Sequence, residues 1–392
     1  MKRFDAGRLG AGDGQPAREV VFFESVHGPI SGTVTVHGRP YAVALDRSTR
    51  GDEPQGELAL SDLDSGRVHN PEEFFRAVNH FGTTFNWPYI DSRHIAYFSS
   101  GRLPIMAPGT DPSLPALGTG KYDWRGWLPL SAHPRQIDPR SDTLTNWNNK
   151  PAPGWGAASD NYAYGSVHRV QLYRGFTKGM NEANDVSIMN RAATEDLRAI
   201  AVWPIIRRVL KRGRAPSRLA AEAARLIDVW RAQGASRIDG NLDGEIDAPG
   251  AAVMDTAWNG IAKAVMRPVL GPLTKNLAQL IDPSATPSFD PGWYGYVSKD
   301  LRTELGMKVK GRFSRRYCGH GNLSACRKSL WAAIQAAAVK LSAVQGPNPE
   351  NWHSSATAER IHFKPGLIPF SMRWTNRSTF QQVIEFTSHA RG

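Results

Sequence analysis

Asn146-Trp147-Asn148-Asn149-Lys150-Pro151 places three side-chain amides within four residues, with an indole between the first two. Amide N–H donors clustered at a strand end can hold the oxyanion that develops when an acyl carbon is attacked. Two other groupings have chemical potential. Asp239, Asn241, Asp243 and Asp247, with Gly244 in sixth place, follow the spacing of an EF-type loop, whose oxygen ligands suit calcium. Its twelfth position, where a bidentate Glu belongs, is Gly250. A solvated, Asx-rich turn has the same spacing, and the residues leave both readings open. Cys318 and Cys326 bracket His320. Zinc would need a fourth ligand and a recognised spacing. A local disulfide suits an exported protein, and two inert thiols fit as well.

Gly165-Ser166, with His168 close by, could pass for a nucleophile and its base, but no nucleophile-elbow pattern surrounds the serine. The densest cationic run is Arg207-Arg208-Val209-Leu210-Lys211-Arg212-Gly213-Arg214. It reads as a solvated helix C-terminus, where cations complement the dipole. No aromatic stacking platform accompanies it, which argues against nucleic acid as the partner.

These groups need elements to position them. Alternating β-branched residues with Gly/Pro punctuation predict strands from Val20 to Ser25, Gly32 to Val36 and Tyr41 to Leu45. Helices are expected from Glu57 to Leu63 and from Pro71 to Val78, the second capped by Asn70. A hairpin follows, Phe85 to Tyr89 and His94 to Ser99, turning at Asp91-Ser92-Arg93. Strand character is expected around Asn146 and from Val167 to Leu172. Helical periodicity takes over from about Thr194, with Ser217 before the stripe Leu219, Ala223, Leu226, Ile227, Trp230. Further helices fit Ala251 to Met266 and Ala325 to Leu341, the latter capped by Ser324, and Thr379 to Phe386 reads as a strand. The organisation expected is a flexible start over 1–17, a mainly β part over 18–190, a helical part over 191–345 and a closing strand segment over 346–392. That is an α+β fold.

The 392 residues suffice for one large domain or two ordinary ones, and 41% apolar with 21% charged residues is a globular composition. No run reaches the roughly 20 apolar residues of a membrane span. Residues 1–17 lack the apolar stretch of a signal peptide. The net charge is +12.

Several landmarks, taken in order, resemble the penicillin acylase family of N-terminal-nucleophile amidohydrolases. They are Thr84-Phe-Asn-Trp-Pro-Tyr-Ile-Asp91, Ser100-Gly-Arg-Leu-Pro104, Asp111-Pro112-Ser-Leu-Pro115, Gly118-Thr-Gly-Lys-Tyr-Asp-Trp-Arg-Gly126, Asn146 to Pro151, Ala158-Ser-Asp160, Arg169 and Asn376-Arg-Ser-Thr379. The resemblance implies a four-layer αββα sandwich with a large helical insertion. It implies hydrolysis of a small-molecule acyl amide through an acyl-enzyme, the nucleophile being a serine freed by self-cleavage at the start of the large subunit. The serine's own α-amine, with a pKa of about 8, serves as base.

On this resemblance Asn148 is the oxyanion-hole asparagine, and Arg169 orients it. Phe85 and Tyr164 wall the acyl pocket. Asp160 and the Pro112 carbonyl are ligands of a calcium ion, and the protein works outside the cytoplasm. No residue of this chain matches the serine nucleophile. The expectation is therefore the C-terminal part of a large subunit, its fold incomplete at the N-terminus and inactive alone. It would need the small subunit and the first part of the large one. The alternative is a non-catalytic basic binding protein on a degenerate acylase scaffold.

Overall fold

The structure is a computed structural model that describes residues 2–12, 14–111, 114–146, 149–153, 155, 167–280, 293–356, 360–362, 366–369 and 371–373. They form two compact units, one built on Met1–Leu144 and the other on Gly165–Thr387.

The first unit opens with a meander of β1 (Lys2–Leu9), β2 (Arg18–Ser25), β3 (Gly28–Val36) and β4 (Arg39–Ala44), each antiparallel to the next. The β3–β4 turn is His37-Gly38, with φ of 49° and 76°. Positive φ at both central residues is what two-residue hairpins favour. β1 corrects the expectation of a flexible start. The polar segment becomes a strand because it pairs with β2, setting Phe4 opposite Phe22. No residue of β1 is buried.

Next come α1 (Gln55–Asp64) and α2 (Pro71–Val78). The Glu73 N–H donates to Asn70 Oδ1 at 2.9 Å, and the His69 N–H donates to the Glu73 carboxylate at 2.8 Å. This reciprocal capping fixes the start of α2. The helix buries Phe74, Phe75 and Val78 against Ala96 and Phe98. Those two belong to β6 (Ile95–Ser99), the middle of a three-stranded sheet with β5 (Asn86–Ile90) and β7 (Arg135–Ile137). The β5–β6 turn forms as expected, Asp91 Oδ1 accepting the N–H groups of Arg93 and His94 at 2.6 and 2.7 Å.

The second unit is helical: α3 (Val167–Phe176), α4 (Asp185–Thr194), α5 (Trp203–Leu210), α6 (Arg218–Ala232), α7 (Pro249–Leu270), α8 (Leu273–Leu280), α9 (Tyr294–Glu304) and α10 (Leu323–Gln345). Four short strands join them: β8 (Glu245–Ile246) pairs with β9 (Ser354–Ser355), and β10 (Arg360–His362) with β11 (Ser371–Arg373). Trp203, Trp258, Trp293 and Trp352 are at most 1% exposed and centre its core. Burying side chains of this size is the main favourable term in folding.

Two elements differ from expectation. Val167 to Leu172, expected as a strand, begins α3, so helical structure starts well before residue 191. Its two valines suggest alternation, but Gln171, Leu172 and Arg174 are good helix formers. The cap of α10 is Asn322, whose Oδ1 accepts the N–H groups of Ser324 and Ala325 at 3.0 Å each. Ser324 therefore lies inside the helix. The expected strand from Thr379 to Phe386 lies outside the described residues.

A buried ionic cluster ties the helical unit together. Arg198 and Asp196 are 3% and 0% exposed, and Arg198 Nη2 donates to Asp196 at 2.7 Å and also to Asp255. Arg237 reaches Asp255 at 3.0 Å, and Ser354 Oγ donates to it at 2.6 Å. Burial alone would raise the Asp255 carboxyl, but Arg237 and Arg198 hold it well below the usual range. Cys318 and Cys326 are joined by a disulfide that closes the turn before α10.

Candidate functional site

Residues 143–146 are irregular and pair with no described strand, so the strand expected around Asn146 is not seen among the described residues. A turn precedes it, closed by the Asp142 N–H on the Pro139 carbonyl at 2.8 Å. Asp142 itself has a φ of 50°. Asn146 and Asn149 are half-buried, Lys150 is exposed, and all three have interaction partners. Trp147 and Asn148 lie outside the described residues, as do Pro112, Asp160 and Tyr164. Arg169 is described by its backbone alone, in the first turn of α3.

Phe85 is fully described. It precedes β5, and its ring is 49% exposed despite a fixed backbone. Its carbonyl accepts the Ser100 N–H at 2.9 Å. Ser100, fully buried, accepts at Oγ from the Trp87 indole at 2.9 Å and from the Phe85 N–H at 3.3 Å, and donates to the Thr83 carbonyl at 3.0 Å. Phe81 and Trp87 meet the Phe85 ring edge-on at 6.2 and 5.8 Å. An aromatic ring held this way and left half-exposed is suited to contact an apolar group.

The Asp239-to-Asp247 loop is held by its own side chains. Asp239 Oδ2 accepts the Gly244 N–H at 3.1 Å, and Asp247 accepts the Gly240 N–H at both oxygens. Asn241 Oδ1 accepts the Asp243 N–H, and Asp243 Oδ1 accepts the Glu245 N–H. The side chains thus bond their own loop as Asx turns do. Among the described residues no group of three His, Cys, Asp or Glu side chains could hold a metal ion. The hydrogen bonds fit an Asx-rich turn, and calcium at Asp239, Asn241, Asp243 and Asp247 stays an expectation from the spacing.

The first unit contains a cleft that sequence reasoning missed. It holds about 330 Å³ and is lined by Val26, His27, Asp46, Asp123, Trp124 and Trp127. His27 Nε2 stands 2.9 Å from Asp123 Oδ1. Gly118 approaches the other side of the ring, where a Cβ would stand 3.0 Å from Nδ1. Gly28 has a φ of 108°, and a Cβ there would meet the Leu45 carbonyl oxygen at 2.3 Å, so only glycine permits this turn. Burial pushes the Asp46 carboxyl up, His27 opposes the shift and Asp123 adds to it. Trp124 and Trp127 meet edge-on at 5.5 Å, and the Arg102 guanidinium lies 4.1 Å over the Trp127 ring. Indole faces beside carboxylates suit a cationic group.

Comparison with known proteins gives a consistent set of relatives. The family model described as penicillin amidase matches residues 9–383. Penicillin G acylase of Escherichia coli is 34% identical over 157 residues, which is 39% of this chain and 18% of that protein. Acyl-homoserine lactone acylase QuiP of Pseudomonas syringae pv. syringae is 26% identical over 289 residues, 71% of this chain and 34% of that protein. The aligned segments thus span about a third or less of these relatives' length. In fold, the chain is similar to a thermostable penicillin G acylase from Alcaligenes faecalis. The TM-score is 0.69 at 21% identity, covering 96% of this chain and 68% of that one.

Proposed function

The chain belongs to the penicillin amidase family, and from that premise we propose that it is part of an amidohydrolase cleaving a linear amide through an acyl-enzyme. The observation that carries this reading is the family match, which runs through nearly the whole chain. In the proposed reaction a serine hydroxyl attacks the acyl carbon, and its proton passes to the α-amine of the same serine. The side-chain amide of Asn148 donates to the oxyanion, and Arg169 holds that amide in place. The C–N bond then breaks, the α-amine returns the proton to the leaving amine, and water releases the acid.

The serine lies on polypeptide outside these 392 residues. Two points support this: the aligned segments cover only part of the relatives, and no residue of the motif set fills the nucleophile's role. The half-exposed Phe85 ring supports an apolar acyl group, with Tyr164 as a second wall. The four-layer αββα arrangement belongs to the same reading. So does calcium at Asp160 and the Pro112 carbonyl, which enters no step of the reaction. The Cys318–Cys326 disulfide supports an oxidising, extracytoplasmic setting.

The test is hydrolysis of a chromogenic phenylacetyl or fatty-acyl anilide by the purified chain, alone and mixed with the polypeptide encoded immediately before it. Turnover by the mixture alone is expected. Turnover by the isolated chain would overturn the placement of the nucleophile. A mixture inert toward every acyl anilide would overturn amide hydrolysis.

A further inference from the structure

The helical unit contains a second cavity, distinct in chemistry and unused by the proposed hydrolysis. It holds about 360 Å³ between α5 and α6, lined by Trp203, Arg207, Arg208 and Lys211 on one side and Asp228 and Arg231 on the other. Four cations face one carboxylate, a formal excess of +3.

The carboxylate is already committed. Asp228 Oδ1 accepts the Trp203 indole N–H at 2.7 Å, and Oδ2 accepts the Arg207 Nε–H at 2.8 Å. Trp203 is fully buried, so this pair sits on a rigid base. Bonding through Nε fixes the plane of the Arg207 guanidinium and leaves its two terminal nitrogens to a ligand. Among the described residues Arg208 donates to the Met307 sulfur at 3.7 Å. Arg207 with Asp228 is the one ion pair at this cavity among the described residues.

Helix dipoles account for part of this. Arg207 and Arg208 lie in the last turn of α5, and Arg231 lies in the last turn of α6. Each such placement stabilises by about 0.3–1 kcal/mol. It does not require cations of two helices to converge on one cavity. Arg207 and Lys211, four apart, repel each other by a similar amount. An anion between them would relieve that repulsion.

We propose that this cavity binds a small multivalent oxyanion of the phosphate or sulfate class, free or as an ester group. Guanidinium forks match such oxyanions in geometry as well as charge. Nucleic acid is the poorer fit, because single strands need a track of cations with exposed aromatic faces and the Trp203 ring is buried.

The test is calorimetric titration of the full chain with pyrophosphate at low salt, repeated with adenosine monophosphate to distinguish free from esterified phosphate. Saturable binding of either is expected. The double variant Arg208→Gln/Arg231→Gln should weaken it about tenfold or more, equivalent to ~1.4 kcal/mol. A control double variant, Arg312→Gln/Arg315→Gln, should retain affinity, and thermal melts should show both variants folded. No saturable binding by the wild type would overturn the proposal. So would equal loss in the control, or unchanged affinity in the cavity variant. An oligothymidylate that binds while both small anions fail would assign the cavity to nucleic acid instead.

Discussion

A Cβ built on Gly250 of α7 would stand 2.5 Å from the Trp230 Cβ on α6 and 2.6 Å from the Leu226 carbonyl oxygen. The two helices approach so closely here that no side chain fits. Gly250 is also the twelfth position counted from Asp239. The position that would need a bidentate Glu is a packing contact with no room for one.

Gly250→Ala should therefore lower stability. An unhindered Gly→Ala change inside a helix stabilises by about 0.5–1 kcal/mol, whereas overpacking a tight contact costs about 1–3 kcal/mol. A urea melt with a lower midpoint and an unchanged slope is expected. A higher midpoint would mean that α7 can move aside.

Ser100→Ala removes the acceptor for the Trp87 indole and the Phe85 N–H, and the donor to the Thr83 carbonyl. Ser100 is fully buried, so water does not readily take the place of its hydroxyl. The loss should be about 1–3 kcal/mol. Unchanged unfolding of the variant would show that these bonds contribute nothing net.

Glu304 predicts a dependence on pH. Its side chain is 1% exposed, and Arg316, its nearest cation, is 3.9 Å away. Burial raises its pKa, Asp300 raises it further and Arg316 opposes the shift. The folded state therefore holds this proton more tightly than the unfolded chain does. The stabilisation is complete below the ordinary value of 4.5 and is lost as pH rises through the folded value. Glu304→Gln should melt higher than the wild type at neutral pH, with the advantage vanishing under acid conditions. A variant less stable at neutral pH would show that the charged form is held by groups other than Arg316.

Reducing Cys318–Cys326 opens a loop with a sequence separation of 8. Chain entropy for so short a loop gives about 2–3 kcal/mol. A thermal melt in reductant should fall accordingly for the wild type and stay unchanged for Cys318→Ser/Cys326→Ser. Equal melts of the wild type with and without reductant would contradict this.

Local signals were legible in the sequence. Asn70 before Pro71, with Glu73 three residues on, marks the start of α2, and the Ser217 hydroxyl accepts the Ala220 N–H at 3.1 Å as a cap should. Non-local pairing was not legible. β1 pairs with β2, setting Phe4 opposite Phe22, and the cleft brings His27 to Asp123 across 96 residues. Neither segment carries a signal of the other. The Asp239-to-Asp247 spacing leaves two readings because Asx turns and calcium loops use the same oxygens and share hydrogen bonds of this kind. Of the candidate site, Phe85 stands on the predicted hairpin, whereas Asn148 rests on the family resemblance.

Asn148 is proposed to donate to the oxyanion. The most direct measurement is kcat for a phenylacetyl or fatty-acyl anilide, using the assembled enzyme with and without Asn148→Ala. A fall of roughly 100- to 1000-fold in kcat with little change in KM is predicted. A variant that retains full kcat would contradict that role.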